Sequence, residues 1–310
     1  MIIKILGSGA GGGFPQWNCN GIHSSAVRAG NPGYQPRTQS SLAVSSDGRN
    51  WALLNASPDL RQQIADNPEL HPEKTGPLRN SPIKAAVLTN ADVDHIVGLI
   101  NLRERQAFSI YGSDRVLATI KANSIFDVCA HDIVPRIALP LDEKIKLTGD
   151  GVDLGLTVEA FAVPGKIALF LEKGGEDTNY GSREGDTIGL EITDNKTGKS
   201  FFYIPGCAEV DAPLAQKIKG AELIFFDGTL FTDNEMIDQG LMQKTGQRMG
   251  HISMSGSDGS LQVLKPLGIK RRIYVHINNS NPALDENSQA RKDVEAAGWE
   301  VGYDGMEVRL

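Results

Sequence analysis

The residues best suited to chemistry stand where apolar, strand-like runs stop. Ala85-Ala86-Val87-Leu88-Thr89 has the pattern of a short buried strand, and Asn90-Ala91-Asp92-Val93-Asp94-His95 follows it. Two carboxylates and an imidazole therefore fall in a tight loop just before helical spacing begins. His276 closes the run Arg272–Val275, and His251 lies in the glycine-flanked Gly250-His251-Ile252-Ser253. Asp227 leaves the apolar run Glu222–Phe226, and Cys207 follows Ile204-Pro205-Gly206. Loops anchored on rigid strands can aim such groups at one point, as a metal ion requires. Each residue also has a plainer reading. Asp92 or Asp94 would cap the next helix, and a histidine after a strand is often a satisfied core residue. Several metal-capable residues at strand ends together favour a metal.

A second motif, Gly7-Ser8-Gly9-Ala10-Gly11-Gly12, follows the strand-like Ile2–Leu6 and fits a dinucleotide fingerprint. Its sequel, Gly13-Phe14-Pro15-Gln16-Trp17-Asn18, is no amphipathic helix, and no acidic residue follows at the spacing that holds a ribose. The expectation is instead that these glycines let the backbone pass close to a neighbouring element or a substrate.

The elements that must position these groups are short. Ser41–Val44 and Trp51–Asn55 flank Asp47-Gly48 and read as a hairpin. Ser57-Pro58-Asp59 reads as a helix start, and His95–Gln106 shows helical spacing with Ile96, Leu99, Ile100 and Leu102 on a broad apolar face. Leu147–Leu171 is mostly strand-like; Thr187–Thr193 and Ser200–Ile204 form a pair, and Trp299–Tyr303 and Met306–Leu310 flank Asp304-Gly305. Hairpins mixed with strand–helix units imply two packed sheets with helices outside, within one domain over residues 1–310; a single doubly wound sheet is the competitor.

The chain has 310 residues, 40% hydrophobic, with net charge −7 and three cysteines. The charge disfavours a nucleic-acid or anionic-membrane surface. Three scattered cysteines make a poor disulfide framework, and no apolar run spans a bilayer or forms a signal peptide, so a cytoplasmic protein is expected. Oligomeric state stays open.

The cluster resembles the metallo-β-lactamase superfamily, whose signature is H-x-H-x-D-H followed by Gly and Leu. Asn90 and Asp92 occupy the first two histidine positions, whereas Asp94-His95 and Gly98-Leu99 match. Val163-Pro164-Gly165-Lys166 resembles the P-G-H segment with Lys166 replacing histidine, and Gly206-Cys207 resembles the G-D segment with Cys207 replacing the bridging aspartate. Tyr274-Val275-His276 resembles the closing strand. The resemblance implies an αββα sandwich that has lost one metal position and kept a second, held by Asp94, His95 and His276.

A closer resemblance, to the family of coenzyme pyrroloquinoline quinone (PQQ) synthesis protein B, spans nearly the whole chain. It is carried by Ile5–Ser8, Gly13–Asn20, Arg37–Ser41, Asn55–Asp59, Phe226–Thr229 and Met249–Ile252. Many members continue C-N-C-x-x-C after the tryptophan as a zinc knuckle. Cys19-Asn20-Gly21-Ile22-His23 keeps one cysteine, too few for the roughly four ligands of structural zinc.

Two imidazoles and one carboxylate form the set typical of non-haem Fe(II) oxygenases, although Zn(II) can also take three protein ligands and water. The resemblance implies iron-dependent hydroxylation of a tyrosine ring in a peptide-derived PQQ precursor. Asp92, His251 and Asp227 would handle protons or support the ligands, and Lys166 and Cys207 would line the site. The alternatives are a metal-dependent hydrolase and a non-catalytic carrier that delivers PQQ or its precursor to the periplasm; other pathway proteins are possible partners.

Overall fold

The computed structural model describes residues 1–172 and 184–310. The end of the strand-like stretch Leu147–Leu171 is a single-turn helix at Leu169–Leu171, preceded by loop.

Among the described residues, fourteen strands form two seven-stranded sheets. The first holds β1 (Ile2–Gly7), β2 (Ser41–Ser45), β3 (Trp51–Leu54), β4 (Ile83–Val87), β5 (Ser109–Gly112), β6 (Arg136–Ala138) and β14 (Glu307–Arg309), in the order β14-β1-β2-β3-β4-β5-β6. The second holds β7 (Lys144–Gly149), β8 (Val152–Ala162), β9 (Ile188–Asp194), β10 (Ser200–Ile204), β11 (Leu223–Asp227), β12 (Arg271–Val275) and β13 (Glu300–Val301), in the order β13-β12-β11-β10-β9-β8-β7. Hairpin connections give antiparallel pairs such as β2–β3. Longer crossovers make β3–β4–β5–β6 and β10–β11–β12–β13 parallel.

The side-chain period of two assigns residues to layers. Leu42, Val44, Ala52, Leu54, Phe225, Ile273 and Val275 meet between the sheets. Alternate residues face outward: Leu53 and Ala86 into a layer with Leu60 and Leu99, and Ile224 and Tyr274 into one with Leu214 and Val294. Both faces of the parallel strands are thus covered, as parallel sheets require. The result is the two-sheet sandwich with helices outside. Among the described residues no helix is long and apolar enough to cross a membrane.

Three elements differ from the sequence expectation. The helix at His95–Gln106 is one α turn, Val93–Ile96, continued as a 3-10 segment, Val97–Leu102. The cause is tertiary: the Ala56 amide donates to His95 O (2.7 Å) and Gly98 N donates to Ala56 O (2.9 Å), so the ladder is diverted. The helix after Ser57-Pro58-Asp59 begins at Leu60. Trp299–Tyr303 and Met306–Leu310 contribute β13 and β14 to opposite sheets, so Asp304-Gly305 is a crossing between sheets.

Candidate metal centre

The parallel strands β4, β11 and β12 end at the same rim of the sandwich, where open α/β sheets place ligands. β4 leads into Thr89, which is clamped to Asn55 at the end of β3. Thr89 N donates to Asn55 Oδ1 (2.9 Å), and Asn55 Nδ2 donates to Thr89 Oγ1 (2.9 Å) and Tyr203 Oη (3.3 Å). Ile188 N donates to Thr89 O (2.9 Å), tying the two sheets together at this rim.

The loop that follows is folded around Asn90. Its Oδ1 accepts from Asp92 N (3.0 Å) and lies 2.7 Å from His95 Nδ1. An amide oxygen only accepts, so His95 Nδ1 carries the proton and Nε2 carries the lone pair. His95 Nε2 is buried without a hydrogen-bond partner. It stands 3.7 Å from Asp94 Oδ2, which is 3.1 Å from His276 Nε2. Donor atoms of Asp94, His95 and His276 all lie within 4.8 Å of one another. Ligands about 2.1 Å from one ion stand about 3 Å apart, and a buried lone pair without a partner is costly. These three residues therefore fit a divalent cation. His276 adopts φ 57°, an uncommon conformation for a non-glycine residue, immediately after β12.

Within the triad the carboxylate and the imidazoles favour each other's charge, while His276 disfavours a charge on His95. Burial opposes ionisation of Asp94, yet the imidazoles of His95 and His276 hold its carboxyl far below the usual range. Burial lowers the His95 pKa against the pull of Asp94. For His276 burial acts downward too, but the hydrogen bond and charge of Asp94 raise it overall.

A second group adjoins the first through His276, whose ring stacks on His251 with centroids 5.2 Å apart. Asp227, fully buried at the end of β11, places Oδ2 2.7 Å from His251 Nδ1 and accepts Cys207 N at 2.9 Å. Thr229 Oγ1 lies 2.6 Å from Asp227 Oδ1, 2.8 Å from His276 Nδ1 and 3.1 Å from His251 Nδ1. Asp227, His251 and His276 also lie within metal-binding reach, but these hydrogen bonds occupy both Nδ1 atoms.

The remaining expected site residues take outer positions. Asp92 occupies the helix N-cap without a capping bond; its Oδ1 instead accepts Leu169 N at 3.0 Å. Lys166 sits beside Gly250, where an added Cβ would come 2.9 Å from Lys166 Cγ, and its Nζ is 3.8 Å from Glu172 Oε1. A cleft of about 880 Å³ includes Pro164, Gly165, Ala208, Glu209 and Arg248, but neither Lys166 nor Cys207. The turn after Gly206 directs the Cys207 Sγ to Glu209 O (3.1 Å), and burial holds the thiol well above its ordinary pKa. Only its amide reaches the network.

The glycine-rich loop makes the close backbone approaches expected of it. A Cβ on Gly7 would lie 2.1 Å from Gln39 O. Ala10 N donates to Ile277 O and Ile277 N to Ser8 O (both 2.9 Å), which seats the loop beside His276. A Cβ on Gly11 would lie 3.5 Å from Asp94 Oδ2. Near the knuckle positions, His23 Nδ1 contacts Tyr34 Oη (3.2 Å), which donates to Asp285 Oδ2 (3.1 Å), and Cys19 Sγ accepts Gly21 N (3.3 Å). Asn90 and Thr229 carry no metal-ligand chemistry that would mark them as site residues in the sequence. Their signal was their position inside the motifs Asn90–His95 and Phe226–Thr229.

Comparison with known proteins defines the class first. Residues 50–277 match the model of the β-lactamase superfamily domain. A diphosphatase of the PhnP family shares the fold, with a TM-score of 0.66 at 18% identity over 100% of this chain and 97% of that one. Coenzyme PQQ synthesis protein B of Gluconacetobacter diazotrophicus is 47% identical over 99% of this chain and 98% of that protein. That of Rhodopseudomonas palustris is 49% identical over 99% of each. The crystal structure of Zn(2+)-bound PqqB from Methylobacterium extorquens has a TM-score of 0.93 and 48% identity over 100% of both chains. Within the β-lactamase superfamily, the chain belongs to the family of coenzyme PQQ synthesis protein B.

Proposed function

We propose that this chain acts in PQQ synthesis as a single-domain, non-haem-iron hydroxylase of the tyrosine ring of a peptide-derived precursor. The observation that carries the reading is the buried, unpartnered Nε2 of His95 facing Asp94 and His276. Asp94, His95 and His276 would hold one divalent ion. The zinc named for the Methylobacterium extorquens protein supports a divalent site, and iron is the choice that suits ring oxygenation. When bound, ferrous iron in such a set supplies one-electron chemistry and leaves positions for dioxygen and substrate.

The protein's residues prepare that chemistry. Asn90 fixes the His95 tautomer, and Asp94 stays ionised. His251 is oriented by Asp227 through Nδ1, which leaves Nε2 to take and return the phenolic proton. Asp92 ties down the loop at Leu169, and Lys166 packs beside the His251 loop. One oxygen atom of O₂ enters a ring C–H bond and the other leaves as water, with two electrons and two protons from an ene-diol or thiol reductant.

The test is anaerobic loading with Fe(II) or Zn(II), followed by a tyrosine-containing precursor, ascorbate and O₂. A product one oxygen heavier is expected with iron alone. The same product with zinc alone eliminates the redox reading. A hydrolysed product supports the hydrolase instead, and tight PQQ binding without metal or turnover supports the carrier.

A further inference from the structure

We infer that Thr229 is a positioning residue for metal binding, and that its hydroxyl makes the Asp227–His251 pair and the ligand His276 one hydrogen-bonded unit. The inference rests on the proposed Asp94–His95–His276 site.

Thr229 is 5% exposed, so water does not freely replace its bonds. Its single hydroxyl proton has two acceptors in reach, Asp227 Oδ1 at 2.6 Å and His276 O at 3.0 Å. The shorter, charge-assisted bond to the carboxylate is the stronger one. Thr229 Oγ1 is then left with lone pairs only, and it faces His276 Nδ1 at 2.8 Å. Nδ1 must donate, so an ion that displaces the proton between His276 Nε2 and Asp94 Oδ2 (3.1 Å) meets a neutral imidazole with its Nε2 lone pair free to bind. A ligand histidine is commonly fixed this way by a carboxylate or carbonyl on its other nitrogen. Here a hydroxyl is interposed.

The same hydroxyl oxygen is 3.1 Å from His251 Nδ1, whose proton is shared with Asp227 Oδ2. Asp227 is satisfied on both oxygens: Thr229 N (3.0 Å) and Oγ1 on Oδ1, and Cys207 N and His251 Nδ1 on Oδ2. One buried carboxylate thus orients the base directly and the ligand through Thr229. The sharp turn at Gly228 makes this possible. A Cβ there would come 2.9 Å from Tyr274 Cβ and 3.0 Å from Val275 O, so the backbone folds back against β12.

The test compares Zn(II) affinity, by competition with a chromophoric chelator, for the full chain and for Thr229→Val, Thr229→Ser and His276→Ala. ¹⁵N NMR of the histidine rings is recorded on the unsubstituted, zinc-loaded protein. Thr229→Val is expected to bind zinc about 10- to 100-fold more weakly, with Thr229→Ser close to the starting affinity. The NMR spectrum should show His276 protonated on Nδ1. A folded Thr229→Val protein that keeps its affinity within about twofold overturns the positioning role, and so does a His276 found with Nδ1 unprotonated. The spectrum keeps the inference testable should the valine variant fold poorly. Unchanged zinc affinity in His276→Ala is a different failure: it removes the metal site itself.

Discussion

Glu235 should make this protein more stable at pH 5 than at pH 8. It is 5% exposed, and its carboxyl accepts Ser280 Oγ at 2.6 Å and Phe231 N at 2.7 Å. These bonds favour the charge, but burial outweighs them and pushes the pKa from 4.5 up to about 7. The folded chain therefore holds a proton that the unfolded chain releases. Stability falls as pH rises from about 4.5 through 7 and levels off above. At about 1.4 kcal/mol per pH unit the loss is about 3 kcal/mol. For a chain of this length that corresponds to a drop of about 5 °C in melting temperature. Glu235→Gln mimics the protonated form: its carbonyl can accept the backbone amides while its NH₂ faces Ser280. The assay is a series of melting curves between pH 5 and 8 for both proteins, and the difference isolates Glu235 from other titrating groups. Parallel curves for the two proteins would overturn the role given to Glu235.

Further predictions follow from individual contacts. Gly98→Ala would set a Cβ 2.1 Å from Ser57 O and should cost about 3 kcal/mol in urea unfolding; a loss below about 1 kcal/mol contradicts the packing described. Asn90→Ala removes the acceptor for His95 Nδ1 and should weaken zinc binding about 10-fold or more, whereas unchanged affinity in chelator competition would show that another group sets the tautomer. Cys207 is fully buried, and Cys129 is buried with its pKa pushed up to about 11. A disulfide reagent should therefore titrate Cys19 first in the folded protein and all three thiols in urea, and rapid reaction of Cys207 before unfolding would contradict its placement.

Much of this architecture was legible because it depends on local pattern. The apolar runs Leu42–Val44 and Ala52–Leu54 mark two strands, although with both faces buried they do not say which face is inner, and Gly48 with φ 75° turns the hairpin as Asp47-Gly48 implies. Asp94, His95 and His276 were readable as groups leaving the ends of apolar strands, and the structure brings them together. The glycine-rich loop was readable as backbone needing close approach, since a nucleotide site lacked its acidic partner.

Less visible were features decided by distant contacts. The Ala56–His95 backbone bond shortens the helix after the metal loop, and nothing in the local spacing encodes it. The turn Asp304-Gly305 has the signature of a hairpin, but β13 finds β12 while β14 finds β1 across the sandwich. Cys207 stands at a metal position by resemblance, yet its thiol orientation is set by the carbonyl of Glu209. Thr229 carries no metal-ligand chemistry of its own, so its place between two histidines emerges only in three dimensions.

The most direct measurement is X-ray absorption, paired with anomalous diffraction, on protein purified without chelator and loaded with one equivalent of Fe(II) or Zn(II). One ion is expected between Asp94, His95 and His276, ligated by two imidazole nitrogens and carboxylate oxygen. An ion ligated by Cys19 or Cys207 sulfur, or one bound away from His276, would contradict this assignment.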